Sequence, residues 1–82
     1  VTPVQETIGR HIAVDILRLK PAKAPGLDQP LLAERILDSL GLQKLISFIE
    51  AEYDLMIGED YLLPEHFESV RTIAALVEKL RR

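Results

Sequence analysis

Ile36-Leu37-Asp38-Ser39-Leu40-Gly41-Leu42 sets a serine at the threshold of an apolar, periodic run. With Leu42 at zero and about 100° per residue, Leu45, Ile46, Ile49 and Tyr53 fall within about 60° of it. That periodicity predicts a helix from Asp38 or Ser39 to about residue 54, with this face on a core. Asp-Ser at such a start is N-cap chemistry, since both side chains accept hydrogen bonds from unpaired helix N–H groups. Leu40 falls on the opposite side with Lys44, Ser47 and Ala51. One exposed leucine needs no explanation, but beside a serine at a helix tip it marks a contact strip. Gly41 sits inside the first turn, where it costs about 1 kcal/mol relative to alanine. Close approach of another group to the backbone would account for it.

Upstream, Thr2-Pro3-Val4-Gln5 reads as a helix start, with a capping threonine, a proline in the first turn and a glutamine completing a capping box. Val4, Ile8, Ile12, Ile16 and Leu19 share one stripe, so the helix is expected to reach about residue 19. Asp15 lies at the edge of that stripe. Residues 20–29 hold Pro21, Pro25 and Gly26, with Pro30 next, and read as a loop. Leu27, Leu31 and Leu32 are its candidate anchors. Connections as long as residues 20–37 are often functional in so small a domain.

Downstream, residues 56–60 break the second helix. Tyr61-Leu62-Leu63 and Pro64-Glu65-His66-Phe67 read as a short helical turn or two. Ser69 caps a last helix over residues 70–80, with Val70, Ile73, Leu76, Val77 and Leu80 as its stripe. Lys79, Arg81 and Arg82 complement its C-terminal dipole. No stretch alternates with period two for long enough to be a strand. The expectation is an all-α fold: a small bundle of three main helices and one short helix, with a long loop between the first two.

The 82 residues predict a single domain spanning residues 1–82. A chain of this size buries roughly 60–65% of its unfolded surface. It has no cysteine, and His11 and His66 lack ligand spacing. Disulfides, a thiolate nucleophile and a clustered metal site are therefore not expected. Residues 34–68 carry nine acids against Arg35 and Lys44, within a chain of net charge −3. That balance opposes nucleic-acid binding and favours basic protein partners, with charge steering the encounter. No run approaches membrane-spanning length, so a soluble cytoplasmic protein without membrane insertion is expected. Paired carboxylates, a nucleophile–base pair and a metal cluster are all missing from the pattern, so an enzyme is not expected.

A helix, a long loop, Asp38-Ser39-Leu40 opening a second helix, a short helix and a closing helix together resemble an acyl carrier protein. The resemblance covers nearly the whole chain. It is carried by Leu37-Asp38-Ser39-Leu40-Gly41, Leu45-Ile46-Ser47-Phe48-Ile49-Glu50, Tyr53-Asp54-Leu55-Met56-Ile57 and Pro64-Glu65-His66-Phe67-Glu68-Ser69-Val70. Within the family, Ile-Leu-Asp-Ser-Leu-Gly looks closest to discrete carriers of small polar acyl groups: D-alanyl carriers and carriers of glyceryl or methoxymalonyl-type polyketide extender units. The chain departs from the pattern at Ala33-Glu34-Arg35, where a glycine often precedes the attachment motif, and it lacks the Gly-Gly of many peptidyl carrier domains.

The resemblance implies that a phosphopantetheinyl transferase esterifies the Ser39 hydroxyl with 4′-phosphopantetheine from coenzyme A. The arm would hold an acyl thioester and deliver it between acyl-loading and acyl-modifying enzymes, such as an acyltransferase or a synthase. Asp38 and Leu40 would be read by the transferase and later enzymes, with Lys44, Ser47 and Ala51 extending the strip. The chain would be a monomer. For polar cargo the arm is expected mostly in solvent, away from Leu45 and Ile49. The competing readings are an unmodified helical interaction module with Ser39 only as a cap, and a carrier domain of a larger synthase or fatty-acid system.

Overall fold

The first helix, α1 (Pro3–His11), begins as its sequence dictates. The Thr2 hydroxyl accepts the Gln5 N–H at 3.1 Å and the Gln5 side chain accepts the Thr2 N–H at 3.0 Å. In this computed structural model, which describes residues 1–81 and leaves Arg82 outside, α1 is followed by α2 (Ser39–Tyr53) and α3 (Val70–Leu80). No strand is present among the described residues. No described helix is long and apolar enough to cross a membrane.

The expected run of the first helix to residue 19 is corrected. After His11 the backbone widens into a π-turn over Ile12–Ile16, with Leu17 N–H donating to the Ile12 carbonyl at 2.9 Å. Leu19 N–H reaches back to Ala13 at 2.7 Å, and Arg18 leaves the helix at φ 59°. Leu19 is thus thrown off the stripe and is 49% exposed, whereas Val4, Ile8 and Ile12 are buried. Single π-turns within helices often mark functional places. Here the wider turn sets Ile16 against the first turn of α2. A Cβ on Gly41 would lie 3.2 Å from Ile16 Cγ2.

The long connection is held by local turns and pinned to the rest of the fold by two non-local backbone bonds. Leu31 is fully buried. Its N–H donates to the Glu68 carbonyl at 2.7 Å, and its own carbonyl accepts Ile36 and Leu37 N–H. Leu27 O accepts Arg71 N–H at 3.0 Å, and the Arg71 guanidinium forks onto the Asp28 carboxylate at 2.8 and 3.2 Å. The hydrogen bond from Arg71 holds the Asp28 carboxyl below its ordinary range, outweighing the opposing effect of desolvation. The pair is exposed, so it orients the loop more than it stabilises the fold.

The expected fourth short helix is two separate 3₁₀ turns, Glu59–Tyr61 and Pro64–His66, and a third such turn lies at Pro21–Lys23. Proline opens two of these turns, where its missing N–H costs nothing. Ser69 caps α3 reciprocally with Thr72, and Val70, Ile73, Ala74, Leu76 and Val77 are buried. α1 packs chiefly on α3, and Leu45 and Ile49 of α2 close the core. At the end of α3, Arg81 lies over the Tyr53 ring; Arg82, also read as a dipole partner, lies outside the described residues.

Candidate functional site

The first turn of α2 divides its labour between Asp38 and Ser39. Asp38 stands in extended backbone at the N-cap, and its Oδ1 accepts the Gly41 N–H at 2.7 Å. Of the two candidate caps, Asp38 fills the role, so the reading of Ser39 as a cap is corrected. Ser39 is the first helical residue, and it is exposed. Its hydroxyl has no hydrogen-bond partner within the described chain, and the Ser39 and Leu40 amides are likewise unpaired. A helix start with free N–H groups and about half a positive charge suits an anion joined to that hydroxyl.

Gly41 explains how the turn is held. An added Cβ would meet Asp38 Oδ1 and Ile16 Cγ2, each at 3.2 Å. Glycine thus lets the capping carboxylate and Ile16 close on the same backbone. Asp38→Ala should lower stability by about 1 kcal/mol, as lost caps do, read as a lower urea midpoint at unchanged m. No change would mean that Asp38 does not cap in solution.

Successive residues of α2 face different surfaces. Ser39 borders a cleft of about 300 Å³ walled by Leu42, Ile46, Leu62, Leu63, Pro64 and Phe67. Adjoining that cleft, Ser39 also lines a hollow with Leu32, Arg35, Leu37 and Asp38. Leu40, one residue on, points to a separate groove with Lys44 and Ser47, bounded by His11, Asp15 and Ile16. Leu40 is 61% exposed, and Lys44, Ser47 and Ala51 are exposed, with Ala51 outside that groove. Leu42, read as core-facing, packs against the core cluster while half-buried, and its free side walls the cleft.

Four neighbours of the site escaped the sequence reading. Leu62 and Leu63, read only as part of a turn, form the cleft lip. His11 stacks on Phe48 with ring centroids 3.8 Å apart and donates from Nδ1 to Asp15 Oδ2 at 2.9 Å, flooring the Leu40 groove. Arg35 borders Ser39 in a left-handed conformation, φ 57°. Like Asp38, Glu50 in the acidic stretch of residues 34–68 is structural, because its carboxylate accepts the Ile57 N–H at 2.9 Å.

A three-helix fold with an unencumbered serine opening α2 is the architecture of a carrier protein, and this chain belongs to the acyl carrier protein family. It is 33% identical over 73 residues to the probable acyl carrier protein PigG of Serratia sp. (strain ATCC 39006), spanning 87% of this chain and 80% of that protein. Two solved structures are similar. A chain in the crystal structure of an FAD-dependent dehydrogenase is 40% identical with a TM-score of 0.76, covering 85% of this chain and 97% of that one. KstB-PCP in its apo form is 32% identical with a TM-score of 0.71, covering 90% and 81%. No protein-family model matches the chain.

Proposed function

We propose that Ser39 carries 4′-phosphopantetheine and that the chain delivers a small acyl group between biosynthetic enzymes. The observation that carries this reading is the division at the start of α2: Asp38 caps, leaving the Ser39 hydroxyl exposed and unpaired. When bound, the arm supplies the thiol for an acyl thioester, which a chain without cysteine cannot supply itself. The residues around Ser39 fit the attachment. Free amides and the helix dipole face the phosphoester, and Gly41 keeps the first turn tight. On esterification the Ser39 hydroxyl oxygen forms the new P–O bond and loses its proton, while the pyrophosphate bond of coenzyme A breaks and adenosine 3′,5′-bisphosphate leaves. In this reading the chain is the substrate of the transferase, which supplies the base that activates Ser39.

A shallow cleft supports small cargo. Leu45 and Ile49 of α2 are fully buried in the core, so a long acyl chain would have to part it. A small extender-type or aminoacyl group would ride in solvent or against Leu62 and Leu63. The likeness to a chain in an FAD-dependent dehydrogenase structure supports a finer step, in which tethered cargo is presented to a flavin enzyme for dehydrogenation. The same aligned stretch covers 85% of this chain and 97% of the matched one, so the matched chain is the shorter of the two and has the length of one small domain. The working form would be a cytoplasmic monomer.

Incubation with coenzyme A and a broad-range phosphopantetheinyl transferase, followed by intact mass, tests the reading. Gain of one phosphopantetheinyl group supports it, and no gain returns Ser39 to an ordinary surface serine. The Leu40 strip, with Asp38, Lys44, Ser47 and Ala51, is proposed as the surface that enzymes dock on. Leu40→Glu should slow loading by about tenfold, as loss of an apolar anchor does, while thermal stability changes by less than about 0.5 kcal/mol. A large drop in melting temperature would mark Leu40 as packing and not as a handle.

A further inference from the structure

We propose that Arg35 is the cation that holds the phosphodiester borne by Ser39; the inference rests on the carrier reading above. Arg35 and Ser39 line one hollow with Asp38. Arg35 makes no ion pair among the described residues, although Glu34 and Asp38 lie close to it along the chain. The nearest acids along the chain are already engaged. Glu34 accepts from the Gln29 side chain at 3.0 Å, and Asp38 accepts from Gly41. The only other base in residues 34–68, Lys44, lines the groove on the Leu40 side. Arg35 is therefore the one basic side chain bordering the hollow.

The backbone adds a second observation. Arg35 stands at φ 57°, a region where a side chain meets steric cost and glycine does not. A turn that glycine would make more easily carries instead a long cation beside the attachment serine. Esterifying Ser39 places a permanent negative charge in a hollow that already holds the Asp38 carboxylate. Unrelieved, the two anions would repel, and the capping bond would be strained each time the arm was loaded. A guanidinium can take two phosphate oxygens in its planar fork. At an exposed site such a pair contributes little to stability, so its effect falls on the direction in which the arm leaves the helix.

The test uses the ¹⁵N-labelled full chain, converted with coenzyme A and a transferase. No gain in mass would overturn the carrier reading and this inference with it. Once the gain is seen, Arg35 is judged by itself. Exchange of the Arg35 Nε–Hε proton should slow by about two- to five-fold from apo to loaded protein, the protection expected of an exposed ion pair. The effect should disappear near 1 M salt, where screening acts within about 3 Å. The arm's single ³¹P resonance should move in both Arg35→Gln and Arg35→Gly and move part-way back in Arg35→Lys. Arg35→Gly keeps the fold, because glycine accepts the left-handed turn. An unchanged exchange rate overturns the assignment while leaving the carrier reading intact. So does a ³¹P resonance that is indifferent to Arg35→Gln or equally displaced by Arg35→Lys.

Discussion

Ser39→Ala should reduce phosphopantetheine loading from complete to undetectable while leaving the melting curve nearly where it was. The two halves of this result depend on different atoms. Loading requires the hydroxyl, and no neighbouring side chain can stand in for it. The other serines serve elsewhere: Ser69 is buried and caps α3, and Ser47 lies on the Leu40 groove. Stability does not require the hydroxyl, because the cap bond comes from Asp38 Oδ1 at 2.7 Å. Alanine is also the better helix former in the first turn. A change within about 0.5 kcal/mol is therefore expected in urea unfolding. Intact mass on wild type and variant, side by side, gives the first half, and residual loading of Ser39→Ala would move the attachment point. A stability loss of about 1 kcal/mol or more would give Ser39 the capping role that the coordinates give to Asp38.

That division shows where sequence reading reaches and where it stops. The boundaries of α2 and α3 were legible because their apolar spacing and caps are local signals: Asp38 before Ser39, and Ser69 before Val70. Which of Asp38 and Ser39 caps was not legible, since both residue types do so and the choice rests on one backbone turn. The end of the first helix was missed for a related reason. Val4, Ile8, Ile12 and Ile16 repeat every four residues, and Leu19 extends the stripe. That spacing does not reveal that the backbone widens at Ile12 to seat Ile16 against Gly41. The connection of residues 20–37 reads as a loop because its irregular turns lack periodicity and part of its order is borrowed. Leu31 and Leu27 bond to Glu68 and Arg71, more than thirty residues away. The site divides in the same way. Ser39 and Leu40 were visible as a motif, whereas Arg35, Leu62 and Leu63 reach Ser39 only through the fold.

Phe67→Ala carries the largest expected cost to the fold and tests how the cleft is supported. Phe67 is 1% exposed and is among the largest fully buried side chains. Its ring belongs to the core cluster, and it also walls the cleft beside Ser39. Truncating a buried phenylalanine costs about 3–5 kcal/mol, from lost transfer energy and the cavity left behind. A domain of this length has about 4–12 kcal/mol in total, at the usual 0.05–0.15 kcal/mol per residue. The variant should therefore lie at or near the edge of folding at 25 °C, with a urea midpoint well below that of the wild type. Each kcal/mol lost should lower the melting temperature by about 4–8 °C in so small a domain. The short turns Glu59–Tyr61 and Pro64–His66 have few bonds of their own and should loosen first, carrying Leu62 and Leu63 away from Ile46. Loading of Ser39 should fall in step with the folded fraction and recover when a stabilising osmolyte restores folding. Phe67→Leu, which keeps most of the volume, should cost much less and load normally. Should Phe67→Ala stay folded yet lose loading, Phe67 would be acting on the attachment site directly; should it stay folded and load, the 3₁₀ turns would be holding the cleft without it.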